Sequence, residues 1–194
     1  MESMLGKIKA EYALYPKEVL AEIGNNKKSL FIGIPKETDY QEKRISLTPN
    51  SVAALINYGF RITIEKDAGL NSNFCNEEYM QAGADIVFSK EDVVKADVII
   101  KSCPLNPADI SLMHNHQIVF SPILLPSQTK TMIKEIIKKR ITAIAFEYVK
   151  GDYNTYQFMR SMSEIAGNYA IAVAARYLSN EYGRGVLLGG IAGQ

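Results

Sequence analysis

The sequence predicts an α/β fold: a Rossmann-like parallel sheet with helices on both faces, followed by a long connecting helix. Three observations carry this. Short runs, apolar almost throughout, recur along the chain as strands buried on both sides require. Segments of helical periodicity with recognisable start signals alternate with them. Past residue 160, a stretch rich in small residues keeps apolar positions around much of a helix's circumference, as a helix packed on several neighbours does.

Residues 1–29 read as an N-terminal extension. Pro16 to Ile23 has helical spacing of Val19, Leu20 and Ile23, and Gly24-Asn25-Asn26 stops it. The expected strands are residues 31–34, 61–64, 85–88, 97–100, 117–120 and 142–146. Thr48-Pro49 ahead of Ser51-Val52-Ala53-Ala54-Leu55-Ile56 places a capping hydroxyl before a proline at the first helical position, with Gly59 closing the helix. Asn76 to Gly83 is a second short helix ending in glycine. Ser127 to Lys139 is a third, with Met132, Ile133, Ile136 and Ile137 on one face and lysines on the other. Residues 148–157 read as a loop, and the long helix follows from Ser161-Met162-Ser163-Glu164 to Leu178. The expected division is therefore an extension (1–29), an α/β domain (30–160), and a connecting helix with the start of a further domain (161–194). The glycine-rich run from Gly183 to Gln194 is expected to lie inside a longer protein, since domains commonly finish in a docked element or polar tail.

Lys plus Arg number 22 against 21 Asp plus Glu, a formal charge of +1, so composition offers no basic field for nucleic acid or an anionic membrane. The expected partners are a small molecule and a second copy of the chain. Cys75 and Cys103 form no CxxC and fit a reducing cytoplasm. His114 and His116, two residues apart, cannot share a helix face, so no metal site is expected. No apolar run approaches the ~18 residues of a membrane span.

The loop after the first strand carries the chemistry: Gly33-Ile34-Pro35-Lys36-Glu37-Thr38, then Glu42-Lys43-Arg44-Ile45-Ser46-Leu47-Thr48-Pro49. A loop leaving the carboxyl end of a parallel strand is where such folds place ligands. Arg44 there has a planar fork suited to a carboxylate, although a solvated loop arginine is the commoner use of such a residue. These two motifs resemble the opening of alanine dehydrogenases, a family to which the nucleotide-binding part of nicotinamide nucleotide transhydrogenase is related. The resemblance continues in order through Asp67-Ala68-Gly69-Leu70, Glu78-Tyr79, Ala82-Gly83-Ala84, Ala96-Asp97, Ala143 to Glu147, Met162 to Gly167 and Gly185 to Gly190.

The resemblance implies Arg44 as the group that grips a substrate carboxylate and Ser163 as a residue beside a nicotinamide cofactor. Read from residue types alone, Ser163 is a helix N-cap; the two roles are compatible. The resemblance also implies NAD(H), bound mainly by a glycine-rich domain that this chain does not contain. Two departures stand out. Where the family has a catalytic lysine, Lys101-Ser102-Cys103-Pro104 puts Cys103; Lys101, about 6.6 Å away along the same strand face, is the candidate catalytic substitute or else merely flanks the strand end. Where the family has a catalytic histidine, Leu124 or Leu125 stands, and leucine moves no protons. His114 and His116 lie at the other end of that strand. The expected function is the N-terminal part of an NAD(H)-dependent oxidoreductase acting on a small amino acid or 2-keto acid, with this portion alone inactive. The alternatives are a catalytically degenerate binding relative with a regulatory or structural role, and hydride exchange between two nucleotides.

Overall fold

The computed structural model describes residues 29–151 and 154–186. The helix expected at residues 16–23 and the glycine-rich stretch after residue 186 lie outside them. Six strands form one sheet: β1 (Phe31–Ile34), β2 (Arg61–Glu65), β3 (Asp85–Val87), β4 (Val98–Ile100), β5 (Ile118–Ser121) and β6 (Thr142–Ala145). Their spatial order is β3-β2-β1-β4-β5-β6, and every pairing is parallel. This is the doubly wound arrangement, whose direction of build reverses between β1 and β4.

The helices are α1 (Pro49–Asn57), α2 (Asn76–Gln81), α3 (Lys90–Val93), α4 (Pro107–Leu112), α5 (Lys130–Lys138) and α6 (Gln157–Leu178). Thr48 caps α1 as expected, its hydroxyl accepting from the amide of Ser51, with proline at the start. Gly59 and Gly83 follow α1 and α2 with φ of +90° and +95°, a backbone state that glycine enters without a steric cost. Helices α3 and α4 were not expected from the sequence. Both are under two turns long, too short for an apolar period, but Asn106-Pro107 with Asp109 three residues after the cap is a complete capping box. Helix α5 starts at Lys130 with Thr129 as its cap, three residues later than expected. Helix α6 starts at Gln157, so Ser163 sits in its second turn and is not its N-cap; the loop and helix expectations there are corrected by one turn.

Register explains the core. Ile32 lies beside Ile62 and Val98, Ile64 beside Ile34 and Ile86, and Phe120 beside Ile100 and Ile144. Because side chains alternate across a strand, even-numbered positions of all six strands share one face and odd-numbered ones the other. On the even face Ile32, Ile34, Ile62 and Ile64 pack with Val52 of α1 and Tyr79 of α2. On the odd face Ile99 and Val119 pack with Val93 of α3 and Ile110 of α4, and Met132 and Ile136 of α5 join them. Helices therefore lie on both faces. Over β4 to β6, however, the even face has no crossover helix among the described residues. The amino-terminal part of α6 reaches it, with Phe158 against Phe120.

Gly33 shows how close the layers come: a Cβ there would lie 2.5 Å from the carbonyl oxygen of Val93 and 2.9 Å from its side chain. Gly33→Ala is expected to cost about 1–3 kcal/mol through overpacking. Ile34→Ala, at a position with no exposed surface, is expected to cost about 2–5 kcal/mol through the cavity it leaves. Urea unfolding of both variants measures this, and wild-type midpoints for both would refute the packing.

Candidate functional site

The carboxyl ends of β4 and β5, the loop after β1 and the start of α6 enclose a cavity of about 510 Å³. It lies beside the β1/β4 reversal, where open α/β sheets leave a crevice because the flanking connections depart in opposite directions. Arg44, Ser46, Lys101, Ser102 and Phe120 are among its lining residues.

The loop that carries Arg44 is pinned at three points. Ser72 Oγ donates to the Lys43 carbonyl, Ser46 Oγ to the Ile100 carbonyl at 3.2 Å, and Tyr79 Oη to the Leu47 carbonyl at 2.9 Å. Arg44 itself is gripped by Glu42. Its Nε and Nη2 donate to the two carboxylate oxygens at 2.8 and 2.6 Å, and its backbone amide donates to Oε1 as well. The hydrogen bonds from Arg44 hold the Glu42 carboxyl down at about 2, against an ordinary value of 4.5, despite the opposing effect of burial. A guanidinium has five N–H donors in a planar fork, and Glu42 takes one edge; the Nη1 edge remains to receive an anion.

Of the two placements expected for Lys101, the structure has the plainer one, a residue flanking the end of its strand. Strand β4 stops at Ile100, so Lys101 and Cys103 are not on a shared strand face, and the two side chains take different partners, Asp109 and Glu42. Lys101 is 3% exposed, with Nζ 2.7 Å from Asp109 Oδ2 and 3.3 Å from Glu37 Oε2. Burial alone would lower its pKa, but Glu37 and Asp109 outweigh it and the net shift is upward. Asp109 shifts down in turn: burial would raise it, but Lys101 and Lys90, 3.0 Å away, prevail. Both groups are therefore charged at neutral pH. Glu37 also accepts the backbone amides of Ser102 and Cys103, which fixes the turn after β4. Its Oε2 has no well-aligned hydrogen bond and relies on the ammonium.

Cys103, which stands near the place of the family's lysine, is buried and donates its thiol to Glu42 Oε2 at 3.3 Å. Desolvation, then the neighbouring carboxylates, push its pKa well up, so it is a thiol and not a nucleophile. Leu124 adopts a left-handed conformation (φ 47°), its amide and that of Ile123 both held by Glu147. His114 and His116 flank the far, amino-terminal side of β5, away from the cavity. Ser163 is exposed on α6 just past Ser161 and Met162, which do line the cavity.

The structure thus brings Arg44 and Lys101 to one cavity and leaves Ser163 out of its lining, about 100° round the helix from Met162. Sequence reasoning missed the partners Asp109 and Glu42 and the aromatic lining. Asp109 had a signal in the capping box; nothing in the sequence joins Phe120, Phe146 and Phe158. Among the described residues no cluster of metal-binding side chains exists, and no helix is long and apolar enough to cross a membrane.

Residues 33–166 match the family model described as alanine dehydrogenase/PNT, N-terminal domain. The chain is 38% identical over 166 residues to an alanine dehydrogenase of Methanococcus maripaludis, and 34% identical over 165 residues to one of Bacillus subtilis. Each alignment covers 84% of this chain but only 44% and 43% of those relatives, so the chain spans less than half their length. An L-alanine dehydrogenase structure superposes with a TM-score of 0.79 at 35% identity, covering 84% of this chain and 45% of that one. A transhydrogenase from Sinorhizobium meliloti superposes at 0.58 and 29% identity, covering 63% of this chain and 36% of its own.

Asp109→Ala leaves Lys101 buried with half its partners gone and is expected to cost about 3–5 kcal/mol in urea unfolding; a loss below about 1 kcal/mol would show the triad to be dispensable. Glu42, with its depressed pKa, contributes stability that is complete above pH 4.5 and disappears as pH falls towards 2. The melting temperature is expected to drop across that window, with a shallower slope in Glu42→Gln. Identical slopes in the two proteins would contradict the pairing.

Proposed function

The chain belongs to the alanine dehydrogenase/PNT N-terminal domain family, and from that membership we propose that it is the substrate-side portion of an NAD(H)-dependent oxidoreductase acting on a small amino acid or 2-keto acid. Similarity to alanine dehydrogenases supports an oxidoreductase-type role. The observation that carries the finer reading is Arg44: a pre-oriented guanidinium with one free edge, lining a cavity at the sheet's reversal point.

The cofactor would be held mainly by residues outside this chain. The turn after β1 runs Pro35-Lys36-Glu37, with neither glycines for a close approach nor a helix N-terminus at once behind it, and its carboxylate repels a pyrophosphate. Bound from the other side, NAD(H) would supply the hydride chemistry. The residues of this chain would bind and orient the substrate: Arg44 its carboxylate, with Ser163, outside the cavity lining, assigned beside the nicotinamide on the family resemblance alone. Lys101 keeps a catalytic role in this proposal on one condition. Its ammonium has three N–H donors; Asp109 accepts one, Glu37 holds the charge as an ion pair, and a remaining donor would have to reach the reacting carbonyl.

The division carried into this reading is 1–29, 30–160 and 161–194, its second boundary falling inside α6. That helix exposes Ile165, Tyr169 and Ile171 at 67–70%, an apolar surface suited to the rest of a longer protein or to a second copy in a homo-oligomer. A cytoplasmic location is proposed with it, on the two free cysteines.

A second reading, a non-catalytic metabolite-binding relative, is favoured by a specific observation: Lys101 is bound by two carboxylates, and Leu124 has no proton to give. Turnover separates the two. In the longer protein that contains this chain, NADH formation from a panel of amino acids is expected, with Arg44→Lys raising KM about 10- to 100-fold, the worth of a lost bidentate charge-assisted contact. No turnover beside measurable carboxylate binding would establish the binding relative; an unchanged KM in Arg44→Lys would remove Arg44 from the site.

A further inference from the structure

The cavity's apolar wall is built from three distant parts of the chain: Phe120 at the end of β5, Phe146 in the turn after β6 and Phe158 in the first turn of α6. Their ring centroids stand 5.6 to 5.8 Å apart in all three pairings, with interplanar angles of 38° to 66°. This closed triangle of tilted and edge-on contacts is a geometry that aromatic quadrupoles favour. It is not sealed. Phe158 remains 43% exposed, and Ile144, in register with Phe120, is 40% exposed. Rings so placed leave apolar surface against water inside a concavity, which a ligand with an apolar body would cover.

Charge points the same way. Glu42 already neutralises Arg44, and Asp109 and Glu37 balance the ammoniums of Lys101 and Lys90. The site therefore exerts little long-range pull on an anion, and a small keto acid would draw almost all its affinity from one arginine edge. A cavity of about 510 Å³ has room for more than a methyl side chain. Apolar contact has to supply the remaining affinity.

We infer that this site takes an α-amino or 2-keto acid with a bulky, preferentially aromatic side chain, its carboxylate on the free edge of Arg44 and its side chain against the Phe120–Phe146–Phe158 triangle, with Phe158 setting specificity. This rests on the carboxylate reading of Arg44 and replaces the small side chain of the proposed substrate with a larger one. Calorimetric titration of the chain with phenylpyruvate and with pyruvate tests it, in the wild type, Phe158→Ala and Arg44→Gln. Both substitutions are at exposed side chains, and circular dichroism checks that each variant is folded.

Phenylpyruvate is expected to bind at least tenfold more tightly than pyruvate. Phe158→Ala is expected to remove most of that difference by weakening phenylpyruvate, and Arg44→Gln to weaken both. Equal affinities for the two acids, or a Phe158→Ala variant that still discriminates, would overturn the aromatic preference and leave the carboxylate site standing if Arg44→Gln still weakens binding. Discrimination that survives Arg44→Gln with no loss of affinity for either acid would overturn the carboxylate reading and this inference together, as would failure of both acids to bind.

Discussion

Six parallel strands whose apolar side chains run in phase have two faces to keep from water, and the position of every other element follows from that. Connections running outwards from β1 lay α1 and α2 on the even face. Connections running outwards from β4 lay α4 and α5 on the odd face, with α3 crossing between the two halves under Gly33. The even face over β4 to β6 is what remains. The cavity is therefore a consequence of winding, placed where two sets of connections diverge, and the residues that line it come from whichever loops end there.

Its charged rim is costly to build and correspondingly rigid. Bringing Lys101, Asp109 and Glu37 out of water is repaid only by near-ideal mutual geometry, and the same groups then organise their surroundings. Glu37 gathers the amides of Ser102 and Cys103, Asp109 closes the cap of α4, and Lys90 completes the pairing from α3. Glu42 does for Arg44 what Asp109 does for Lys101, but at the surface, so one cation keeps a free edge and the other is enclosed. A catalytic ancestry and a binding role both fit such a site; what differs is how much of each cation is left for a ligand.

Much of the fold was legible because it depends on local chemistry. Strand positions followed from short β-branched apolar runs, and the start of α1 from Thr48-Pro49. The misjudged boundaries share a cause: α3 and α4 are shorter than a helical period can reveal, and α6 begins in a stretch, Gln157 to Arg160, where Phe158 is helical because it packs on Phe120 and Phe146. The site was legible as far as its motifs extend. Arg44 and Lys101, singled out by motif, both line the cavity; the enclosure of Lys101 was not legible, because Asp109 and Glu37 reach it from α4 and from the loop after β1.

By itself the sequence determined the fold class, the family and the residue types available to the site, because apolar periodicity, caps and collinear motifs are written in neighbouring residues. Only the tertiary structure decided what those residues can do. Whether an ammonium faces a cavity or two carboxylates, whether an arginine is free or half-claimed, and whether three phenylalanines meet all depend on contacts between positions far apart in the chain. Those distances are set by packing and register, which no local pattern encodes.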